Sequence, residues 1–222
     1  MRLIIALLFV LGGFQFAQAQ SSSTRVKTSA VKRSVLSAKP TYRFTTNFNN
    51  SRISGTFGSG DQNKLRKPGF ELVRVFNMGG MAWESGLAYE TLGGRLIDED
   101  TSSSIEISYL TVPLLRRTQI TRVGDFNVVA IWGGKLAIQS KAEAKDTDVV
   151  GTTAVSETSD LEEFIEEYDV RASVGINFES KSPKTLGFST GLSWQRGTRN
   201  IVEGTGPKYI TDTLAFNMGM LF

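Results

Sequence analysis

"TDTLAFNMGMLF", residues 211–222, sets Leu214, Phe216, Met218, Met220 and Phe222 against Thr211, Thr213, Ala215, Asn217 and Gly219. A period of two sends each series to one face of a strand. The second face is small and uncharged, and the stretch ends on an aromatic residue. Which of the two faces points inward decides the fold. The same alternation recurs upstream. "LGFSTGLSW" (186–194) sets Leu186, Phe188, Thr190, Leu192 and Trp194 against Gly, Ser and Gly. "YDVRASVGINF" (168–178) sets Tyr168, Val170, Ala172, Val174, Ile176 and Phe178 against Asp169, Arg171, Ser173, Gly175 and Asn177. "FNVVAIWGGKLAI" (126–138) behaves likewise, with Lys135 on the polar side.

In the first half, "YRFTTNF" (42–48) alternates Tyr42, Phe44 and Phe48 with Arg43, Thr45 and Asn47. "WESGLAYE" (83–90) places Trp83, Leu87 and Tyr89 opposite Glu84, Gly86, Ala88 and Glu90. "SIEISYLTVPLL" (104–115) places Ile105, Ile107 and Tyr109 opposite Glu106 and Ser108, and both faces turn apolar after Leu110. In "GFELVRVFNM" (69–78), Arg74 shares the face of Phe70, Leu72, Phe76 and Met78, which asks for a bulge or an interfacial arginine.

These segments make eight strands of about 9–11 residues, the length that crosses a bilayer when tilted by about 45°. Their connections alternate in length. Residues 50–68, 93–103, 140–163 and 197–209 read as longer loops, and 77–80, 117–124 and 179–184 as short ones. Outer-membrane barrels have this asymmetry, with brief turns on one side and long loops on the other. The small polar series suits the lumen of an eight-stranded barrel, which side chains just fill. Aromatics near strand ends (Tyr42, Phe126, Tyr168, Phe178, Trp194, Phe222) suit the interfacial girdles. An open sheet would leave unpaired backbone groups in hydrocarbon, so the strand from Asp212 is expected to pair with the one from Arg43. The expected fold is a closed, all-β, eight-stranded antiparallel up-and-down transmembrane barrel over 41–222.

The 222-residue chain contains neither cysteine nor histidine, and its net charge is +3. That removes disulfides, thiolate chemistry, His-ligated metal and the commonest general base. The charge is too mild to imply a nucleic-acid partner. At the N-terminus, "MRLIIALLFVLGGFQFAQAQ" joins Arg2, an apolar run to about Phe14, and the small-x-small Ala17-Gln18-Ala19. This reads as a signal peptide over 1–19, cleaved near Ala19. Residues 20–40, rich in serine, threonine and lysine, read as a flexible basic periplasmic leader.

Seven charged residues fall on the polar series: Arg43, Glu84, Glu90, Glu106, Lys135, Asp169 and Arg171. In a tight lumen, opposite charges most simply pair. The apolar C-terminal series Leu214, Phe216, Met218, Met220 and Phe222 is expected to face lipid, and it is similar to the signal read by the outer-membrane insertion machinery. The acidic stretch 140–163 reads as a solvated loop. It has no 12-residue calcium-loop pattern. Glycine-rich "SGTFGSG" (54–60) is turn chemistry without the lysine of a phosphate loop.

The order of "KPGFELVRVF", "WESGLAYETLGGRL", "IEISYLTVPLLRR", "VVAIWGGKLAIQSKAEAK", "EEYDVRASVGINFE", "LGFSTGLSWQRGTRNI" and "LAFNMGMLF" resembles the PorT-like outer-membrane β-barrel domain family of Gram-negative bacteria. The likeness spans about residues 40–222. Its Tyr-Leu-x-x-Pro-Leu-Leu segment is matched by Tyr109, Leu110, Pro113, Leu114 and Leu115, and its Gly-x-x-Asn-Ile corner by Gly197 to Ile201. The motif's third residue is usually acidic in such barrels; here it is Thr111. The resemblance implies an envelope protein linked to secretion.

The expected protein is a non-enzymatic integral outer-membrane barrel with no catalytic residue, cofactor or metal. Its partners are outer-membrane lipid, the insertion machinery and envelope or secretion proteins. The alternatives are a soluble exported barrel holding a small apolar ligand, and an outer-membrane lipid-modifying enzyme. The first needs a roomy apolar interior. The second generally needs a histidine.

Overall fold

The computed structural model describes residues 41–54, 61–97, 101–150, 153–180, 186–202 and 208–222. Its strands are β1 (Thr41–Ser54), β2 (Asp61–Met78), β3 (Met81–Ile97), β4 (Thr101–Val123), β5 (Phe126–Val150), β6 (Thr153–Asp160), β7 (Tyr168–Ser180), β8 (Gly187–Gly197) and β9 (Ile210–Leu221). All pairings are antiparallel. The order β4-β3-β2-β1-β9-β8-β7-β5, with β4 also paired to β5, closes an eight-stranded barrel. β6 lies outside the cylinder's count and pairs only with the far end of β5, Glu143 to Val150.

The seam between the chain ends forms in the register from Arg43↔Leu221 to Ser54↔Ile210. Tyr42 and Phe222 exchange backbone hydrogen bonds of 2.8 and 2.9 Å, and their rings stack at 6.1 Å. Phe48 stacks on Phe216, and Phe44 on Phe70. Closure leaves no edge strand among the eight of the barrel, as a sheet in hydrocarbon requires, and the free edge of β6 lies beyond them.

Facing follows the alternation. Phe44, Phe48, Phe70, Leu72, Tyr89, Val174, Ile176, Leu192, Phe216 and Met220 are exposed on the outer wall. Arg43, Thr45, Asn47, Glu71, Asn177 and Gln195 are buried inside. A monomer in water does not display such an apolar belt; a bilayer covers it. The chain is a transmembrane β-barrel.

Gly79 and Gly80, with φ of 61° and 76°, make the two-residue turn between β2 and β3. Positive φ at both central residues defines the hairpin turn whose twist matches the flanking strands. β4 and β5 are joined equally tightly at Gly124-Asp125. The short connection at 179–184 lies mostly outside the described residues, and the expected signal peptide (1–19) and leader (20–40) lie wholly outside them.

Three expectations need correction. β8 has the expected length, 11 residues, but most strands exceed it: β2, β3, β4 and β5 have 18, 17, 23 and 25. Backbone pairing continues beyond the apolar belt, away from the tight turns, so residues read as loop at 50–54, 61–68, 93–97 and 101–103 are strand. The acidic stretch 140–163 is largely a hairpin, because Lys145 to Val150 pairs with Thr153 to Thr158. Its alternation was hidden because both faces are wet. Finally, Ile107 and Tyr109 face the interior, where both are fully buried. Here the inward face is apolar, and polarity alone misassigns it.

Candidate functional site: the ion-paired lumen

Period-two alternation brings charges from β1, β2, β3, β4, β5 and β7 to a common axis. At the end nearest the tight turns, Arg43 Nη2 donates to Glu84 Oε1 at 2.7 Å and to Glu71 Oε1 at 3.1 Å. Arg117 Nη1 donates to the other Glu84 oxygen at 2.8 Å, and its Nη2 pairs with Glu179. One level further, Lys135 Nζ bridges Glu71 at 3.3 Å and Glu90 at 2.9 Å. Arg171 then joins Glu90 through Nη1 at 3.1 Å to Asp169 through Nε at 2.8 Å. Gln195 Nε2 also donates to Glu90 and Thr211 Oγ1 to Asp169.

The result is an unbroken ladder from Glu179 to Asp169. Arg43, Arg117, Lys135 and Arg171 meet Glu71, Glu84, Glu90, Asp169 and Glu179, one carboxylate in excess. Charges buried this deeply persist only when paired and hydrogen-bonded. Glu71, Glu84, Glu90 and Glu179 are each shared between two cations, which meets that need with few groups, and Asp169 ends the series on Arg171. A cavity between Arg43, Glu71, Glu84 and Lys135 measures about 20 Å³. That holds a water molecule, not a ligand.

The other end is sealed by apolar residues. The Arg171 guanidinium lies 4.1 Å over the Tyr109 ring, joining the ladder to a cluster of Ile53, Ile107, Ala137, Ala142, Ile165 and Ile201. Residues 161–167 fold inward to complete it. Leu161 N donates to Ala142 O, Ile165 bridges Val202, Glu166 N donates to Ile201 O, and Gln139 N donates to Glu167 O. Ile201 closes the Gly197-to-Ile201 corner and is buried.

Of the seven charges expected in the lumen, Arg43, Glu84, Glu90, Lys135, Asp169 and Arg171 lie in this ladder. Glu106 does not. It sits on the face of β4 opposite Ile107, where its carboxylate meets Lys67 at 3.0 Å and Lys145 at 3.3 Å. The expectation for Glu106 fails for the reason that applies to Ile107: the hydrophobic series turns inward above the ladder. Glu71, Arg117 and Glu179 were missed. Glu71 stands between outward Phe70 and Leu72, and Glu179 continues the Asp169–Asn177 series, so parity points to both. Leu214, Phe216, Met218 and Met220 lie exposed along the outer face of β9, with Phe222 beyond its end. Among the described residues, no group of three acids converges to hold a metal.

No family model matches the chain, and no curated protein matches it. Solved structures similar to it include Ail, the attachment invasion locus protein of Yersinia pestis. That match has 11% identity and a TM-score of 0.44, covering 83% of this chain and 100% of Ail. Neisserial surface protein A matches at 7% identity and a TM-score of 0.39, covering 80% of this chain and 95% of its own. The N-terminal β-barrel domain of Pseudomonas aeruginosa OprF matches at 9% and 0.25, covering 81% and 99%. At these scores none bears on function, and the barrel rests on its own strand pairing.

Proposed function

We propose that the protein is an integral outer-membrane barrel that performs no chemistry and acts through the surfaces it displays. These are the extended β2–β6 sheet beyond the apolar belt, the outer wall, and the basic segment 20–40. The carrying observation is the occupied lumen: among the described residues, an ion ladder fills one end and an apolar seal the other. Eight strands alone leave little room for a path or a ligand chamber. The apolar belt argues against the soluble ligand carrier, and the absence of histidine weighs against a lipid-modifying enzyme. The PorT-like motif order supports a partner among envelope or secretion proteins.

Two measurements test the reading. Reconstituted in planar bilayers, the protein should show no steady conductance, and crosslinking in intact envelopes should capture defined protein partners. Ohmic single-channel currents would overturn the closed barrel. A product released by alkaline carbonate would overturn the membrane location.

A further inference from the structure

Beyond the apolar belt, the outer face of the β2–β5 extension carries an open groove of about 720 Å³. Lys64, Arg66 and Lys67 line it from β2, Arg95 from β3 and Lys145 from β5, against the single carboxylate of Glu106. Three of these cations stand together in "KLRK" (64–67), and the fold brings Arg95 and Lys145 to them from two other strands. Their convergence depends on a bulge. The β2–β3 register slips between Lys64 and Gly69, and such a slip bends a strand and re-aims its side chains.

The groove is built for negative charge. Glu106 holds Lys67 and Lys145 in place, at 3.0 and 3.3 Å. Arg95 Nε donates to Ser102 Oγ at 2.8 Å, which fixes its guanidinium on the groove wall. Lys64 and Arg66 are exposed and make no ion pair with any described carboxylate. Ser102, Ser104 and Thr147 add hydroxyls. Two guanidiniums among ammonium groups and hydroxyls match the oxygens of phosphate or sulfate esters, which arginine binds in bidentate fashion.

The height of the groove identifies the source. Phe70 and Tyr89 pair on the outer wall, 48% and 46% exposed, near the top of the belt. At a rise of about 3.3 Å per residue and a tilt of about 45°, each residue climbs about 2.3 Å. With one residue taken up by the bulge, Arg66 therefore stands about 7–9 Å and Lys64 about 12 Å above Phe70, the depth of headgroups rather than hydrocarbon. We propose that this groove binds the phosphorylated saccharide headgroup of a glycolipid in the surrounding outer leaflet. The membrane reading above supplies the source of the anion; the groove's preference for phosphate stands without it.

Binding is measured with the purified full-length protein in nanodiscs carrying lipopolysaccharide, enzymatically dephosphorylated lipopolysaccharide, or neither. In a second arm, the protein in non-ionic detergent is titrated with soluble glucosamine 1,6-bisphosphate. The proposal expects at least tenfold tighter association with the phosphorylated lipid than with the dephosphorylated one, and affinity falling with salt. The R66Q/R95Q variant should lose at least tenfold, and K64Q, an exposed single change that leaves the fold intact, should lose about threefold. R196Q, at an exposed arginine on β8, should leave binding unchanged. Equal binding of dephosphorylated lipid, or wild-type affinity in K64Q and R66Q/R95Q, overturns the anion site. Soluble phosphate bound as tightly as the lipid overturns the headgroup source and leaves the membrane reading untouched.

Discussion

Glu84 ties two arginines of the lumen together. Both its oxygens are engaged, one by Arg43 at 2.7 Å and one by Arg117 at 2.8 Å, and it has no exposure to solvent. Removing one member of a buried ion network leaves its partners charged and unmatched, at a cost of about 3–5 kcal/mol. Glu84→Ala should therefore lower the barrel's stability in urea titrations by that amount. Glu106→Ala, whose partners Lys67 and Lys145 are partly exposed, should lose about 1 kcal/mol or less. Equal losses would mean that the ladder does not bear on stability. On the outer wall the sign of the argument reverses. Leu192, 55% exposed, meets hydrocarbon, and an arginine near the bilayer midplane costs about 2–4 kcal/mol. Leu192→Arg should sharply reduce the heat-modifiable folded species on gels, whereas Leu192→Phe should not. An arginine variant that folds as well as the phenylalanine one would refute the facing. Arg116 shows where a cation is tolerated on that wall: its guanidinium lies 5.2 Å over the Trp132 ring.

The seam between β1 and β9 decides whether the cylinder closes. It depends on a close approach at Gly219, where an added Cβ would lie 2.2 Å from Phe44 O and 2.9 Å from Thr45 Cα. Backbone cannot retreat there without breaking the ladder of hydrogen bonds. Gly219→Val should cut the folded fraction after refolding into micelles at least severalfold, and Gly219→Ala should do so less severely. Wild-type folding of both variants would show that the seam has slack. β6 is the opposite kind of element. Its strand pairing is with the projecting end of β5, so shortening the hairpin from Lys145 to Thr158 should leave thermal stability within about 1 kcal/mol of the full chain, by the general tolerance of exposed tips to change. A collapse of the barrel on shortening would show that the hairpin supports the seal.

At the scale of the whole molecule, two immiscible surroundings are arranged around one sheet, with apolar rows against lipid and charged rows against one another. The lumen is asymmetric along its axis, ionic near the tight turns and apolar near the extended sheet. Arg171 over Tyr109 marks the junction. An apolar seal needs close packing to exclude water. The double variant I165S/I201S should therefore open the mouth, raising deuterium exchange at Tyr109 and Thr111 while leaving β8 and β9 protected. Unchanged protection at Tyr109 would mean that residues 161–167 do not guard the lumen. Steady conductance is not expected even then, because the ladder below remains.

The alternation in "TDTLAFNMGMLF" and its counterparts was enough to specify eight strands, their antiparallel order, barrel closure and most of the inward charges. A period of two is a local property of extended chain, and parity carries it from residue to residue. Glu71 and Glu179 were legible by that same parity. What lay beyond local pattern was settled by tertiary contact. Glu106 and Ile107 exchanged sides because the lumen is not polar throughout, and the acidic stretch paired with itself because two wet faces leave no polarity to read. Strand alternation records which environment each face meets only where the two environments differ. Where both faces meet water, or the inside becomes as apolar as the outside, only the folded partners decide.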